Sequence, residues 1–240
     1  MVCLLLLSAC GGHKEVKANV PAAPPISEQG TTSSSGSSET RARETSASEK
    51  ETAHSEAKPL RVETGLASWY GGPYHNRQSS DGEVYNMHAL TAAHRTLPLG
   101  SVVKVTNVKT GHSAVVRITD RGPFIRGRIL DLSQAAAKKT DVYLAGVATV
   151  RVEVLHAPAP LDSGGRWAVQ IGSFAKEHAA DKLADHLSHQ YETARVLCFS
   201  SPIGDWWVRV RVRDDDRKRA EEVARNTHTA EGDVFLVRLD

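Results

Sequence analysis

The stretch "VVRITDRGPFIRGRILDLS", residues 115–133, interrupts two apolar runs with groups that can do chemistry. Between Ile118 and Ile129 lie Asp120, three arginines (Arg121, Arg126, Arg128), two glycines and a proline. Asp, Gly and Pro each favour a turn, and a turn alone would account for them. A carboxylate at the rim of a sheet is also where catalytic groups are commonly carried. To hold a proton near neutrality such an Asp must be lifted from its ordinary pKa of about 3.9, by burial or by a neighbouring like charge. Arg121 would oppose that if it pointed the same way. A second carboxylate, Asp131, stands just before Ser133, a plausible N-cap for "QAAAKK". An acidic side chain there meets the positive end of a helix, so Asp131 reads first as structural.

A second stretch suited to binding is "WWVRVRV", residues 206–212. Alternation along a strand sends Trp206, Val208, Val210 and Val212 to one face and Trp207, Arg209 and Arg211 to the other. The apolar set belongs against helices. The other set predicts an exposed Trp beside arginines, able to stack on a flat ring and donate hydrogen bonds.

These residues need elements to position them. From 61 to 156, short β-branched and apolar runs ("GLASWYG", "SVVKVTNV", "HSAVVRITD", "ATVRVEVL") alternate with turns such as "LPLG", "KTG" and "DRGP". Several strands and one helix, starting at Ser133, fit a compact β-barrel. Trp69 and Tyr70 are neighbours on one strand, so at most one of them lines a groove. A Pro/Gly/Ser linker covers 157–165. Residues 166–240 then read strand, helix, strand, strand, helix, strand: two helices on one side of an antiparallel sheet, with the other side open.

The N-terminal residues "MVCLLLLSAC" have an apolar core far short of the roughly 20 residues that span a bilayer. They read as an export signal over 1–9. Leu7-Ser8-Ala9-Cys10 resembles the lipobox of bacterial lipoproteins, which implies a lipid on Cys10, a membrane anchor, and an outer-membrane periplasmic location, since Gly11 rather than Asp follows. Residues 10–60, rich in Ser, Thr, Glu and Lys, cannot bury enough surface to fold and form a tether. A flexible spacer of that length reaches roughly 40 Å. With Cys3 lost and Cys10 lipidated, Cys198 is alone and most simply a small core residue. No metal-site spacing appears, and neither a metal nor a cofactor is expected. Thirty Lys plus Arg against 28 Asp plus Glu leave a formal charge of +2, a balance that does not advertise nucleic acid.

The ordered motifs "ASWYG", "DGE", "LTAAH", "LPLG", "TNV", "DRGPF" and "GRILDLS" closely resemble the double-psi β-barrel of the RlpA (rare lipoprotein A) family. The resemblance implies lytic cleavage of peptidoglycan glycan strands at the MurNAc-β-1,4-GlcNAc bond, leaving 1,6-anhydromuramic ends. It carries over Glu83, His94 and Asp120 as site residues: Asp120 the acid and base, Glu83 a like charge that tunes it, His94 an orienting or sugar-binding group. Asp131 stays as the rival acid, because expansin-like barrels have an aspartate in a similar "DLS" setting. An expansin-like barrel that binds glycan without cutting it is the alternative.

Residues 166–240, through "WAVQIGSF" and "WWVRVRV", resemble the SPOR domain, a small ferredoxin-like module. That resemblance implies binding of glycans stripped of stem peptides, through Gln170, Ser173, Trp207 and Arg209. It also implies a place at the division septum, with divisome proteins as further partners. The same architecture occurs in RNA-recognition modules, but no Lys/Arg-Gly-Phe aromatic motif is present.

Overall fold

The computed structural model describes residues 58–201 and 203–240; the expected leader, Cys10 and nearly all of the expected tether lie outside the described residues. Six strands close a barrel: β1 (Arg61–Tyr70), β2 (Thr91–His94), β3 (Val102–Asn107), β4 (Ser113–Asp120), β5 (Arg128–Ser133) and β6 (Ala148–His156), in the order β1-β5-β2-β4-β3-β6. Most neighbours are antiparallel, but β1 runs parallel to β5 and β2 parallel to β4. Alternation drives the closure. Val103, Val105, Val116, Ile118, Val150 and Val152 point inward and are almost wholly buried. Closing the sheet leaves no free edge to template pairing with another chain.

The short helix α1 (Gln134–Lys139) starts where its sequence says it should: the Ser133 hydroxyl accepts the Ala136 N–H at 3.2 Å, and Lys138 and Lys139 fill the last turn. A four-residue helix, α2 (Val142–Ala145), follows it and was not expected. Strands β2 and β5 are also additions to the strands read from sequence.

The second unit is a four-stranded antiparallel sheet, ordered β10-β7-β9-β8: β7 (Trp167–Phe174), β8 (Arg195–Ser200), β9 (Trp206–Arg211) and β10 (Asp233–Arg238). Helices α3 (Glu177–Gln190) and α4 (Arg217–Asn226) are the two expected. Ala180, Leu187, Ala220 and Val223 from the helices form one core with Val169, Ile171, Val208 and Val210 from the sheet. Asp216 caps α4 by accepting the Arg219 N–H at 2.9 Å. Asp215 instead turns to Arg211 and Arg166.

The far face of this sheet is not bare, contrary to expectation. The barrel's 120–126 turn lies on it: Phe124 packs its ring against Trp207 (5.3 Å between centroids) and Phe235 (5.8 Å), and Arg126 pairs with Asp233 at 2.7 Å. Trp207 is therefore only 9% exposed rather than open. Its ring also lies on Gly172, where an added Cβ would sit 2.6 Å from the indole, so only glycine admits that approach. Main-chain bonds continue the contact, from the Arg238 N–H to the Arg95 carbonyl (2.9 Å) and from the Leu99 N–H to the Asp240 oxygen (3.2 Å).

Candidate functional site

Asp120 ends β4, and the positive φ of Gly122 turns the chain sharply just beyond it. One carboxylate oxygen, Oδ1, receives three donors: the Ser80 N–H at 3.1 Å, the Ser80 hydroxyl, and the Arg121 N–H at 2.8 Å. No donor among the described residues reaches Oδ2. Burial pushes the Asp120 pKa up, the Ser80 and Arg121 bonds pull it down, and the nearby Asp81 carboxylate adds to the rise; burial prevails. A carboxyl tied through one oxygen, with the other open and its proton favoured by desolvation, suits a general acid.

Asp131 is differently held. It faces Ala93 across the β2–β5 pairing, while Ala93 pairs with Asp120 on its other side. At a strand spacing of about 4.8 Å the two aspartates are therefore about 10 Å apart at the backbone. Both Asp131 oxygens are engaged: Oδ1 accepts from the Ser68 hydroxyl at 2.7 Å and Oδ2 from the Arg128 guanidinium at 3.1 Å. Burial raises its pKa against Arg128 and Ser68. Asp131 does not serve the helix N-terminus as expected. Its partners are on β1 and at the start of its own strand.

Glu83 does not supply the like charge beside Asp120. It is exposed and paired with Arg117, which donates to both of its oxygens (2.9 and 2.5 Å) and holds its pKa low. Asp81, two residues earlier, takes that electrostatic role. His94 is 4% exposed and does not line the groove. Its Nδ1 accepts from the Thr96 and Leu97 N–H groups (3.1 and 3.0 Å), and its Nε2 meets Glu63 at 3.3 Å. Burial lowers its pKa and Glu63 opposes the fall. His94 thus shapes the turn whose carbonyls receive Arg121. That arginine points away from Asp120's carboxylate, toward the His94 and Leu97 carbonyls.

Of the two adjacent aromatics, Tyr70 lines the groove while Trp69 packs on Tyr143 inside the barrel. Tyr70 stacks on Tyr85 at 4.4 Å, and its buried hydroxyl has no hydrogen-bond partner among the described residues. Burial, aided by Asp120, Tyr85 and Asp131, holds that hydroxyl protonated well above its usual range. It is a buried donor without an acceptor, on a residue whose ring lines the groove. Ser80, Ser68 and Arg128 are the positioning groups that sequence reasoning missed.

The groove continues from the barrel onto the sheet, enclosing about 390 Å³ between Tyr70, Asp120 and Asp131 on one side and Gln170, Ser173 and Arg209 on the other. Gln170 Oε1 accepts both the Nε and Nη2 groups of Arg209 (3.1 and 2.5 Å). Among the described residues no cluster of His, Cys, Asp and Glu is placed to hold a metal ion.

The arrangement predicts that Ser80→Ala, by removing a bond that favours the ionised form of Asp120, raises the carboxyl's pKa further. For a reaction that needs Asp120 protonated, activity falls as pH rises through that pKa, so the alkaline limb should move upward. A pH–rate profile whose limb stays fixed or moves down would refute the acid role.

Two family profiles match the chain: one described as lytic transglycolase over residues 62–152, and the SPOR domain over 163–238. Among curated proteins the chain is similar to the endolytic peptidoglycan transglycosylase RlpA of Helicobacter pylori J99, 39% identical over 160 residues and covering 55% of this chain and 51% of that one. It is 56% identical over 99 residues to the protein of that name from Vibrio cholerae, covering 41% and 38%. It is 44% identical over 132 residues to that of Neisseria meningitidis serogroup B, covering 54% and 55%. The chain thus spans about half the length of the curated relatives it matches, or less. One chain thus joins a segment that matches the lytic transglycolase profile to one that matches the SPOR domain, and over about half their length it is similar to the RlpA proteins.

Proposed function

We propose that the protein is an endolytic transglycosylase that cuts the MurNAc-β-1,4-GlcNAc bond of peptidoglycan glycan strands stripped of their stem peptides. The observation that carries this is Asp120: desolvated, anchored through one oxygen, and open to the groove through the other. Asp120 donates its proton to the glycosidic oxygen as the bond to the anomeric carbon breaks, and the GlcNAc side leaves as an alcohol. The C6 hydroxyl of the same muramic residue attacks that carbon and gives its proton to the Asp120 carboxylate. The ring closes as 1,6-anhydromuramic acid and Asp120 is restored, with no water consumed. One group serves as acid and then base. Tyr70 offers its ring as a wall of the sugar site, and Asp131, held by Ser68 and Arg128, fixes the floor of the site.

Gln170, Ser173, Trp207 and Arg209 form the denuded-glycan site of the second domain, with Trp207 acting chiefly as a packing residue that seats Phe124. The further reading places the protein at the division septum, anchored to the outer membrane by a lipid on Cys10, with the cell-division machinery as its partner. The support for the anchor is Leu7-Ser8-Ala9-Cys10 and the long polar segment behind it.

The test is mass spectrometry of amidase-treated sacculi after incubation with the full chain. Release of anhydro-ended glycans is the expected result. Binding with no anhydro ends released would instead make the barrel an expansin-like glycan binder.

A further inference from the structure

Arg209 is half-buried at the sheet end of the groove and has no carboxylate partner among the described residues. Its donors go to the neutral Gln170 side chain, and it lies over the Phe199 ring at 5.1 Å from the centroid. Burial and the neighbouring Arg211 weigh against its charge, and Asp120 across the groove offsets them only at a distance, with no hydrogen bond between the two. Withdrawing a cation from water without a directly bonded counter-charge is costly, and an arginine fork fits a carboxylate well. The place is therefore built for an incoming anion. At the other end of the same groove stands Asp120. The acid's own turn is clamped to this sheet through Phe124–Trp207 and Arg126–Asp233, which fixes the spacing between the two ends. The enclosed volume, about 390 Å³, falls within the roughly 300–1,000 Å³ typical of ligand sites.

A glycan strand stripped of peptide carries one anion at a regular interval: the lactyl carboxylate on O3 of each muramic residue. Where the peptide remains, that carboxylate is an amide and carries no charge. We infer that one glycan strand occupies both domains at once, and that a lactyl carboxylate seated on Arg209 sets which glycosidic bond faces Asp120. This rests on the lytic reading above and adds to it. Arg209 is then a positioning residue for cleavage, and the sheet domain measures the strand rather than only holding the protein near it.

The test compares the full-length wild type, Arg209→Gln and Arg209→Lys on two substrates: amidase-treated glycan, and the same glycan with its muramic carboxylates reduced to alcohols. Rates of anhydro-end release and product lengths are read by mass spectrometry, with thermal melting as a folding control. On the carboxylate glycan, Arg209→Gln should lower kcat/KM about 10–100-fold, the size expected of charge-assisted hydrogen bonds. Its products should be more dispersed in length, and Arg209→Lys should recover part of the rate. On the reduced glycan, wild type should fall to the level of Arg209→Gln, with no further loss in the variant. An equal loss in the variant on both substrates would mean that Arg209 only supports the fold, and an unaffected variant would mean that it does not read the strand; either overturns the inference alone. A wild type inert on both glycans overturns the lytic reading and takes this inference with it.

Discussion

Asp120→Asn should lower the release of anhydromuramic ends by about 10²–10⁴-fold, the usual contribution of a positioned general acid, while glycan binding persists. The asparagine oxygen can still accept from Ser80 and the Arg121 N–H, so the turn is retained and only the transferable proton is lost. Stability gives an independent check, and its sign follows from the raised pKa. A carboxyl whose pKa is higher folded than unfolded contributes stability that is fully present below the unfolded value of about 3.9 and is lost as pH rises through the folded one. At neutral pH wild-type Asp120 thus carries a desolvation cost that asparagine lacks, and the variant should melt no lower than wild type. The same sign holds for Asp131, whose pKa burial also raises in spite of Arg128 and Ser68, so Asp131→Asn should melt no lower than wild type either. Melting therefore controls for folding in both variants, and cleavage tells them apart. If Asp131→Asn abolishes cleavage while Asp120→Asn stays active, the acid is Asp131.

What could be read without coordinates was whatever depends on period and local chemistry. The inward set of β3 and β4 follows from strict alternation, and so does the split of Trp206, Val208 and Val210 from Trp207 and Arg209. Ser133 announces α1 because a hydroxyl ahead of an alanine-rich run satisfies an otherwise unpaired N–H. Strands β2 and β5 carry no such signal. All four residues of β2, "TAAH", are buried, so there is no polar–apolar alternation to detect. Site assignments failed where they depended on which turn residue faces inward. Asp81 and Glu83 are two apart in one loop, yet the first is tucked near Asp120 and the second is paired outward with Arg117. His94 sits beside the site in sequence order, but its ring is committed to the Thr96 and Leu97 amides. Trp207 was placed on the correct face, but its burial depends on Phe124, which is remote in the chain. Only docking of the two domains reveals that contact, and with it the continuous groove.

Arg121→Met should destabilise the protein by about 2–4 kcal/mol, the cost of leaving buried carbonyls without their charged donor, and should separate the melting of the two domains. Arg121 is 9% exposed, and burial lowers its pKa to about 10, so it is still a cation at neutral pH. One terminal nitrogen donates to the His94 and Leu97 carbonyls (3.0 and 2.6 Å), the other to the Asp240 oxygen at 2.6 Å. A single side chain therefore ties the barrel turn behind the acid to the segment that follows β10. Methionine fills similar volume but donates nothing. The Asp240 oxygen keeps the Leu99 N–H, whereas Leu97 loses a short, charge-assisted bond. Arg121→Lys restores the charge without the planar fork, so it should fall between the two. Calorimetry should show one transition for wild type and two, or one much broadened, for Arg121→Met. Cleavage should fall with it even at temperatures where both domains remain folded, because Asp120 loses the neighbour whose guanidinium pins its turn against the sheet. A methionine variant that melts in one wild-type-like transition would show that the docking relies on Phe124 and Arg126 alone, and that the arginine beside the acid is only a buried charge the fold tolerates.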